Sequence, residues 1–260
     1  MKDISIQELK NTAVQMRMKV IDMIYKAQSG HPGGSLSAAD FVTACYFKYM
    51  NLDPRNPRWP DRDRMVLSKG HVCPIQYACL ASVGFFPESE LDTLRKEGSM
   101  LQGHPSMNKC PGIDISTGSL GQGLACAAGM ALAAKYQGKN CRVYTLLGDG
   151  EIQEGQVWEA AMFAGARKLD NLVVIVDNNG LQLDGTIDEI IGPNPLDEKF
   201  ESFGCHVIKA DGHDFDSLEK AFNEAKTVKG QPTVIIAKTV KGKGVSFMEN
   251  NVSWHGAAPN

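Results

Sequence analysis

Apolar residues in the first thirty positions recur at helical spacing, with Leu9, Met16, Val20, Met23 and Ile24 falling on one stripe. Ser5-Ile6-Gln7-Glu8 supplies a capping box at the start of that stripe. A helix is therefore expected to run to about Gln28, its methionines acting as core filler rather than a binding surface. Ser29-Gly30-His31-Pro32-Gly33-Gly34 breaks the pattern, and a second helix is expected over 38–49. A polar loop with three prolines follows over 51–63. Met65-Val66-Leu67 reads as a strand leading into Lys69-Gly70-His71, then a helix to about Val83. The run 119–136 is a helix of small residues able to pack closely on a neighbour. Beyond it the pattern predicts strands at 142–147, 172–176, 205–209 and 233–238, with helices at 154–168 and 214–227. Alternating strands and helices, without repeats or a low-complexity linker, predict one α/β domain over 1–260. Its expected form is a doubly wound, mostly parallel sheet with helices on both faces.

One strand–helix–strand unit carries candidate chemistry. Gly148-Asp149-Gly150 leaves the strand at 142–147, and Asn178-Asn179 leaves the strand at 172–176. A right-handed crossover makes the two strands parallel, with both carboxyl ends on the edge where ligands of open α/β sheets bind. Asp149 and Asn179 then bring two hard oxygen donors to one point, and Gly150 lets backbone approach a ligand beside a helix amino end. A carboxylate, an amide oxygen and room for phosphate oxygens suit octahedral magnesium holding a diphosphate. Either glycine-rich turn alone is ordinary loop sequence; two at the ends of consecutive parallel strands are not.

The spacing of GDG and NN resembles the thiamine diphosphate fingerprint, and the surrounding GDGEIQEGQVWEA and NLVVIVDNNGLQLDG resemble transketolase. The resemblance runs from Ser29 to Gly256. It implies that Asp149, Asn179 and the carbonyl of Leu181 ligate Mg2+, and that Gly150 packs against the diphosphate. GHPGGS, KGH and QGHP resemble the family's histidine motifs and carry His31, His71 and His104, which the resemblance places around substrate carbonyl and hydroxyls, His71 also touching cofactor. SWHGAAP carries His255, implied near both diphosphate and substrate. Gly118 and Leu120 in GSLGQG match backbone contacts to the aminopyrimidine. Glu154 is implied at the cofactor, where a contact between protomers links paired active sites; Glu159 lies on the same helix. Ser106 departs from the family, many of whose members carry an acidic residue there, which bears on substrate preference.

The imidazoles have a chemical rationale as well. Each can donate, accept or shuttle a proton near neutral pH, which suits a polyhydroxylated sugar, and flanking Gly or Pro sets each on a rigid turn. His206 and His213 lack that setting and read as ordinary surface or core residues.

A chain of 260 residues with 43% hydrophobic content can bury a full core, and a net charge of −3 offers no basic surface for nucleic acid. No apolar run approaches the ~20 residues of a membrane span, and the charged start does not read as a secretory signal. Seven cysteines without a CxxC pair argue against a disulfide framework or zinc site and fit reduced core residues of a cytoplasmic protein. Transketolases continue into a pyrimidine domain and a C-terminal domain, so the expectation is a split enzyme. The partner would be a C-terminal subunit carrying the pyrimidine domain, the assembly a dimer of heterodimers, and the substrates sugar phosphates of pentose phosphate metabolism. Alternatives are a 1-deoxyxylulose-5-phosphate synthase-like enzyme, a split 2-oxoacid dehydrogenase first component, or a non-catalytic cofactor-binding module.

Overall fold

The computed structural model describes residues 4–260. Five strands, β1 (Arg64–Leu67), β2 (Val143–Gly148), β3 (Leu172–Asn178), β4 (His206–Asp211) and β5 (Thr233–Lys238), form one all-parallel sheet in the order β1-β2-β3-β5-β4. β-branched and other apolar residues dominate these strands, and β2, β3 and β5 are buried on both faces, as parallel sheets require.

Alternate strand residues feed two cores. Tyr144, Leu146, Val173, Ile175, Ile235 and Ala237 face helices α1 (Ile6–Ala27), α3 (Ala39–Ala44), α4 (Cys73–Val83) and α9 (Phe215–Thr227). Val143, Leu147, Val174, Val176, Val234 and Ile236 face α5 (Gln122–Tyr136), α6 (Gly155–Ala166) and α8 (Leu196–Ser202). Helices thus cover both faces, as the sequence predicts. The small residues of α5 pack as expected: Ala127, Ala128, Ala131 and Ala134 turn inward and bring the helix close to the sheet. Six of the seven cysteines are buried and all seven are free thiols. Among the described residues no helix is long and apolar enough to cross a membrane.

The capping box at Ser5 forms as read, with Glu8 Oε2 accepting from Ser5 N at 2.8 Å. Other element ends differ from the pattern for local reasons. The helix expected from Glu154 begins at Gly155, because Glu154 is its extended N-cap and a 3-10 turn (Glu151–Gln153) intervenes. The helix expected from 119 begins at Gln122, since Gly121 sits at φ 83. The break after Ser29 contains a one-and-a-half-turn helix, α2 (Pro32–Ser37), opened by Pro32 at its first position. The helix expected over 38–49 divides into α3 and a π-helical turn (Cys45–Tyr49). Two short helices, α7 (Ile187–Ile191) and α8, were not anticipated, being too brief for periodicity to register.

Phe222 of α9 is 2% exposed and stacks on Tyr49 at 4.4 Å between ring centroids, joining α9 to the π-helical turn. Phe222→Ala should cost about 3–5 kcal/mol, through lost transfer energy and the cavity left behind. Urea denaturation should show a lower midpoint at unchanged m-value; a midpoint within error of the parent would contradict the packing described.

Candidate active site

Four parallel strands end on one edge, and each delivers polar residues there. β1 runs into Ser68, Lys69 and His71; β2 into Asp149, Gly150 and Glu151; β3 into Asn179 and Leu181; β5 into Thr239 and Lys241. The register Gly148↔Asp177 sets Asp149 and Asn179 just beyond adjacent strand ends. A cavity of about 370 Å³ opens over this edge. His31, His71, His104, Gly118, Leu120, Asp149, Gly150, Glu154, Asn179, Leu181 and His255 all line it, so the structure brings together every site residue singled out from sequence.

The histidines form one cluster. Ring centroids lie 5.1 Å apart for His31–His71, 6.3 Å for His31–His104, 5.6 Å for His31–His255 and 5.2 Å for His71–His255. His31 is the N-cap of α2, and His71 sits in the 3-10 turn after β1. His104 rides a loop fixed by α4, where Tyr77 Oη donates to the Gln102 carbonyl at 2.9 Å and Cys73 Sγ to the Gly103 carbonyl at 3.3 Å. His255 follows the 3-10 turn Val252–Trp254. Burial, and then neighbouring cations, depress the imidazoles: His31 to about 4 with Arg95 beside it, His255 to about 3 with Lys241 beside it. His71 falls well below the ordinary value, through burial and Lys69, and His104 is lowered for the same kind of reason. At pH 7 the cluster is a set of neutral rings.

The anionic half of the site is more deeply buried. Asp149 is 1% exposed and accepts from Gly150 N at 2.9 Å and from Gly180 N. Burial, and then the nearby Asp177 carboxylate, push Asp149 up to about 6, more than its backbone hydrogen bonds and Lys69 lower it. Asn179 Oδ1 accepts from Leu181 N at 3.1 Å, and the Leu181 carbonyl accepts from Lys241 Nζ at 3.1 Å. Gln182 Oε1 is buried without a hydrogen-bond partner in this wall. Among the described residues no group of three or more His, Cys, Asp or Glu side chains is placed to hold a metal. One carboxylate, one amide and one carbonyl oxygen are instead the hard, incomplete donor set that magnesium accepts when phosphate oxygens supply the rest. The under-compensated Asp149 carboxylate, the orphaned Gln182 oxygen and the two ammonium groups of Lys69 and Lys241 fit a magnesium diphosphate.

Sequence reasoning missed the groups that hold this arrangement. Asp177, fully buried, accepts from Lys69 Nζ, Ser37 Oγ and Thr239 Oγ1, which together hold it below the ordinary carboxylate range although burial alone would raise it. Glu151 Oε1 accepts from Gly121 N at 2.9 Å and from Ser68 Oγ, while its Oε2 accepts from Gly148 N at 3.0 Å. It thereby joins β1, β2 and the loop before α5. Gly123 is required there: a Cβ would stand 2.5 Å from Ser68 Cβ. Glu151 was legible as the residue after GDG and Lys69 as the first residue of KGH, but Asp177 and Lys241 carried no local signal beyond lying at strand ends. Glu154 is exposed at the cavity rim against Gly121, and Glu159 is exposed on α6. His206 pairs with Glu224 at the surface. His213 is half-buried with both ring nitrogens partnered: Nδ1 lies 2.8 Å from Asp40 Oδ2, and Nε2 accepts from Val240 N at 2.8 Å.

An all-parallel sheet with a diphosphate-type donor set at its carboxyl edge and a histidine wall opposite defines the thiamine diphosphate-binding class of α/β domains. The family model "Transketolase, thiamine diphosphate binding domain" matches residues 9–260, and the chain belongs to the transketolase family. It is 48% identical over 248 residues to the 6-deoxy-6-sulfo-D-fructose transketolase subunit SqwG of Clostridium sp. (strain MSTE9), covering 95% of this chain and 90% of that protein. It is 42% identical to one of the subunits of the apulose-4-phosphate transketolase of Actinobacillus succinogenes, covering 99% of this chain and 93% of that protein. Mouse transketolase is 49% identical over 258 residues, and there the chain spans 40% of the relative's length. The crystal structure of Campylobacter jejuni transketolase superposes with a TM-score of 0.93 at 36% identity, over 98% of this chain and 41% of that one.

The depressed imidazoles set a pH dependence. Unfolded, His31 takes up a proton below about pH 6.5; folded, it does so only near 4. Its contribution to stability is therefore complete above 6.5 and lost as the pH falls toward 4. Asp149, raised when folded, acts in the opposite sense between its ordinary value and about 6. A single substitution isolates the imidazole: the drop in Tm between pH 7 and pH 5 should be smaller in His31→Gln than in the parent. Parallel thermal melts at the two pH values decide it, and equal drops would remove the assigned shift.

Proposed function

We propose that this chain is the diphosphate-binding subunit of a two-chain transketolase, which moves a two-carbon ketol unit from a ketose phosphate to an aldose phosphate. The observation that carries this reading is the single cavity in which four imidazoles face Asp149, Asn179 and Leu181. Thiamine diphosphate, when bound, supplies the nucleophilic carbon and the electron sink that carbon–carbon cleavage beside a ketose carbonyl requires. Asp149, Asn179 and the Leu181 carbonyl would hold Mg2+, with Gly150 against the diphosphate and His71, Glu154 and His255 beside the cofactor. Gly118 and Leu120 would meet the aminopyrimidine through backbone groups. His31, His71, His104 and His255 would orient sugar hydroxyls and handle their protons.

A partner carrying the pyrimidine domain is supported by relatives of matching length whose own names call them transketolase subunits. It is supported also by apolar surface around the cavity mouth and on α5 and α6: Leu120, Leu183, Met162 and Tyr136 are 39%, 59%, 54% and 81% exposed. A dimer of heterodimers would bring Glu154 and Glu159 to a contact between paired sites.

Three outcomes test the proposal. The purified chain alone should show no ketol transfer, and mixing it with a candidate partner chain should produce it; robust turnover by the single chain would contradict the two-chain reading. In the assembled protein, Asp149→Ala should abolish magnesium-dependent cofactor binding by calorimetry, and unchanged affinity would sink the metal assignment. His31→Ala and His104→Ala should lower turnover by ~10²–10⁴-fold, the usual loss of a positioned proton-transfer group, with little change in cofactor affinity. His206→Ala is the control, because its ring pairs with Glu224 at the surface and does not line the cavity, whereas His213→Ala would strip partners from Asp40 and Val240 N.

A further inference from the structure

Two of the four imidazoles are held from behind by cations. Arg95 Nη1 donates to Ser29 Oγ at 2.9 Å, and its Nη2 lies 3.5 Å from both the Gly103 carbonyl and His31 Nδ1. The guanidinium is wedged in place: a Cβ on Gly103 would meet its Cζ at 2.9 Å. On the other side, Lys241 Nζ donates to the Leu181 carbonyl at 3.1 Å and lies 2.9 Å from His255 Nδ1. Neither a guanidinium nor an ammonium can accept a hydrogen bond. A hydrogen bond in either contact therefore runs from the cation to a lone pair on Nδ1, which leaves the ring proton on Nε2. His71 and His104 show no such partner: among the described residues no protein hydrogen bond to their ring nitrogens is present.

We propose that Arg95 and Lys241 are positioning residues that fix the tautomer of His31 and His255, so that both rings are Nε2–H donors facing away from their cations. The depressed values of both rings agree, since a ring with a cation at Nδ1 resists a second proton. The four imidazoles then divide into two kinds. His31 and His255 are preset to donate to oxygen, as a sugar carbonyl or hydroxyl oxygen needs, at no cost in reorientation. His71 and His104 keep free choice of tautomer. This consequence for sugar recognition rests on the transketolase reading; the tautomers themselves do not.

Histidine tautomers are read directly by long-range 1H–15N correlation spectra of the chain carrying 15N-labelled histidine rings, at pH 7, assigned with His31→Gln and His255→Gln. Both rings should give the Nε2–H pattern. In Arg95→Met the His31 signals should move toward a tautomer average, and Arg95→Lys, which keeps a donor, should restore them; Lys241→Met should do the same to His255. An Nδ1–H ring in the parent chain overturns the proposal, as does an unchanged pattern in both Met variants. Should a Met variant fail to fold, the parent spectrum still decides. No partner, cofactor or sugar is needed, so the two readings fail separately. Ketol transfer by an assembly whose His31 is Nδ1–H would sink only the tautomer assignment, and Nε2–H rings without any ketol transfer would sink only the reaction.

Discussion

The ion pair of Lys69 with Asp177, taken out of water at the carboxyl edge of the sheet, is the contact on which the site depends. Lys69 follows β1 and Asp177 belongs to β3, so the lysine reaches across the end of β2, passing so close to Gly148 that a Cβ there would meet its Cδ at 3.3 Å. The same carboxylate takes hydroxyl bonds from Ser37 at the end of α2 and Thr239 after β5. One buried anion thereby fixes the relative placement of three strand ends and the helix that His31 caps. A pair so deeply desolvated adds little net stability, yet removing either partner strands a buried charge at a cost of about 3–5 kcal/mol. Its effect is geometric: it sets where the cavity walls stand.

Charge in the cavity is arranged by side. Arg95 stands behind His31, Lys241 reaches from His255 to the Leu181 carbonyl and Lys69 pairs with Asp177, while Asp149 and Glu151 are buried with backbone and hydroxyl donors. Burial raises both carboxyls and lowers the imidazoles, which is the expected response of groups poised to meet a charged ligand rather than each other. Glu151 ties the ends of β1 and β2 to the loop before α5 and so acts as framework, whereas Asp149 lines the cavity. The two acids lie two residues apart, Asp149 before the 3-10 turn and Glu151 at its first position.

Much of this was legible in the chain. The double period of buried strands and amphipathic or small-residue helices gave an α/β sheet with both faces covered, and α1, with its capping box, needed no tertiary context. Asp149 and Asn179 could be placed together because a right-handed crossover leaves few alternatives for consecutive parallel strands. The glycine-flanked histidines could be named as candidates because rigid turns leave their rings little choice of direction. Boundaries were less legible where the backbone itself turns, as at Gly121 and Glu154, and α7 and α8 were too short to show a period.

What the sequence could not determine is which distant residues share an edge. Strand order β1-β2-β3-β5-β4 brings Lys69, Asp177 and Lys241 to one place from positions far apart in the chain, and no local pattern encodes that adjacency. His213 looked like any unremarkable histidine, and only the packing of α3 against the turn after β4 made it a bridge between Asp40 and Val240. The sequence by itself determined the alternation of elements, the pair of oxygen donors and the set of imidazoles, because each rests on spacing within one element or one crossover. The tertiary structure decided the partners of those groups, their charge states and the cavity between them, because burial and electrostatics depend on everything that packs around a side chain.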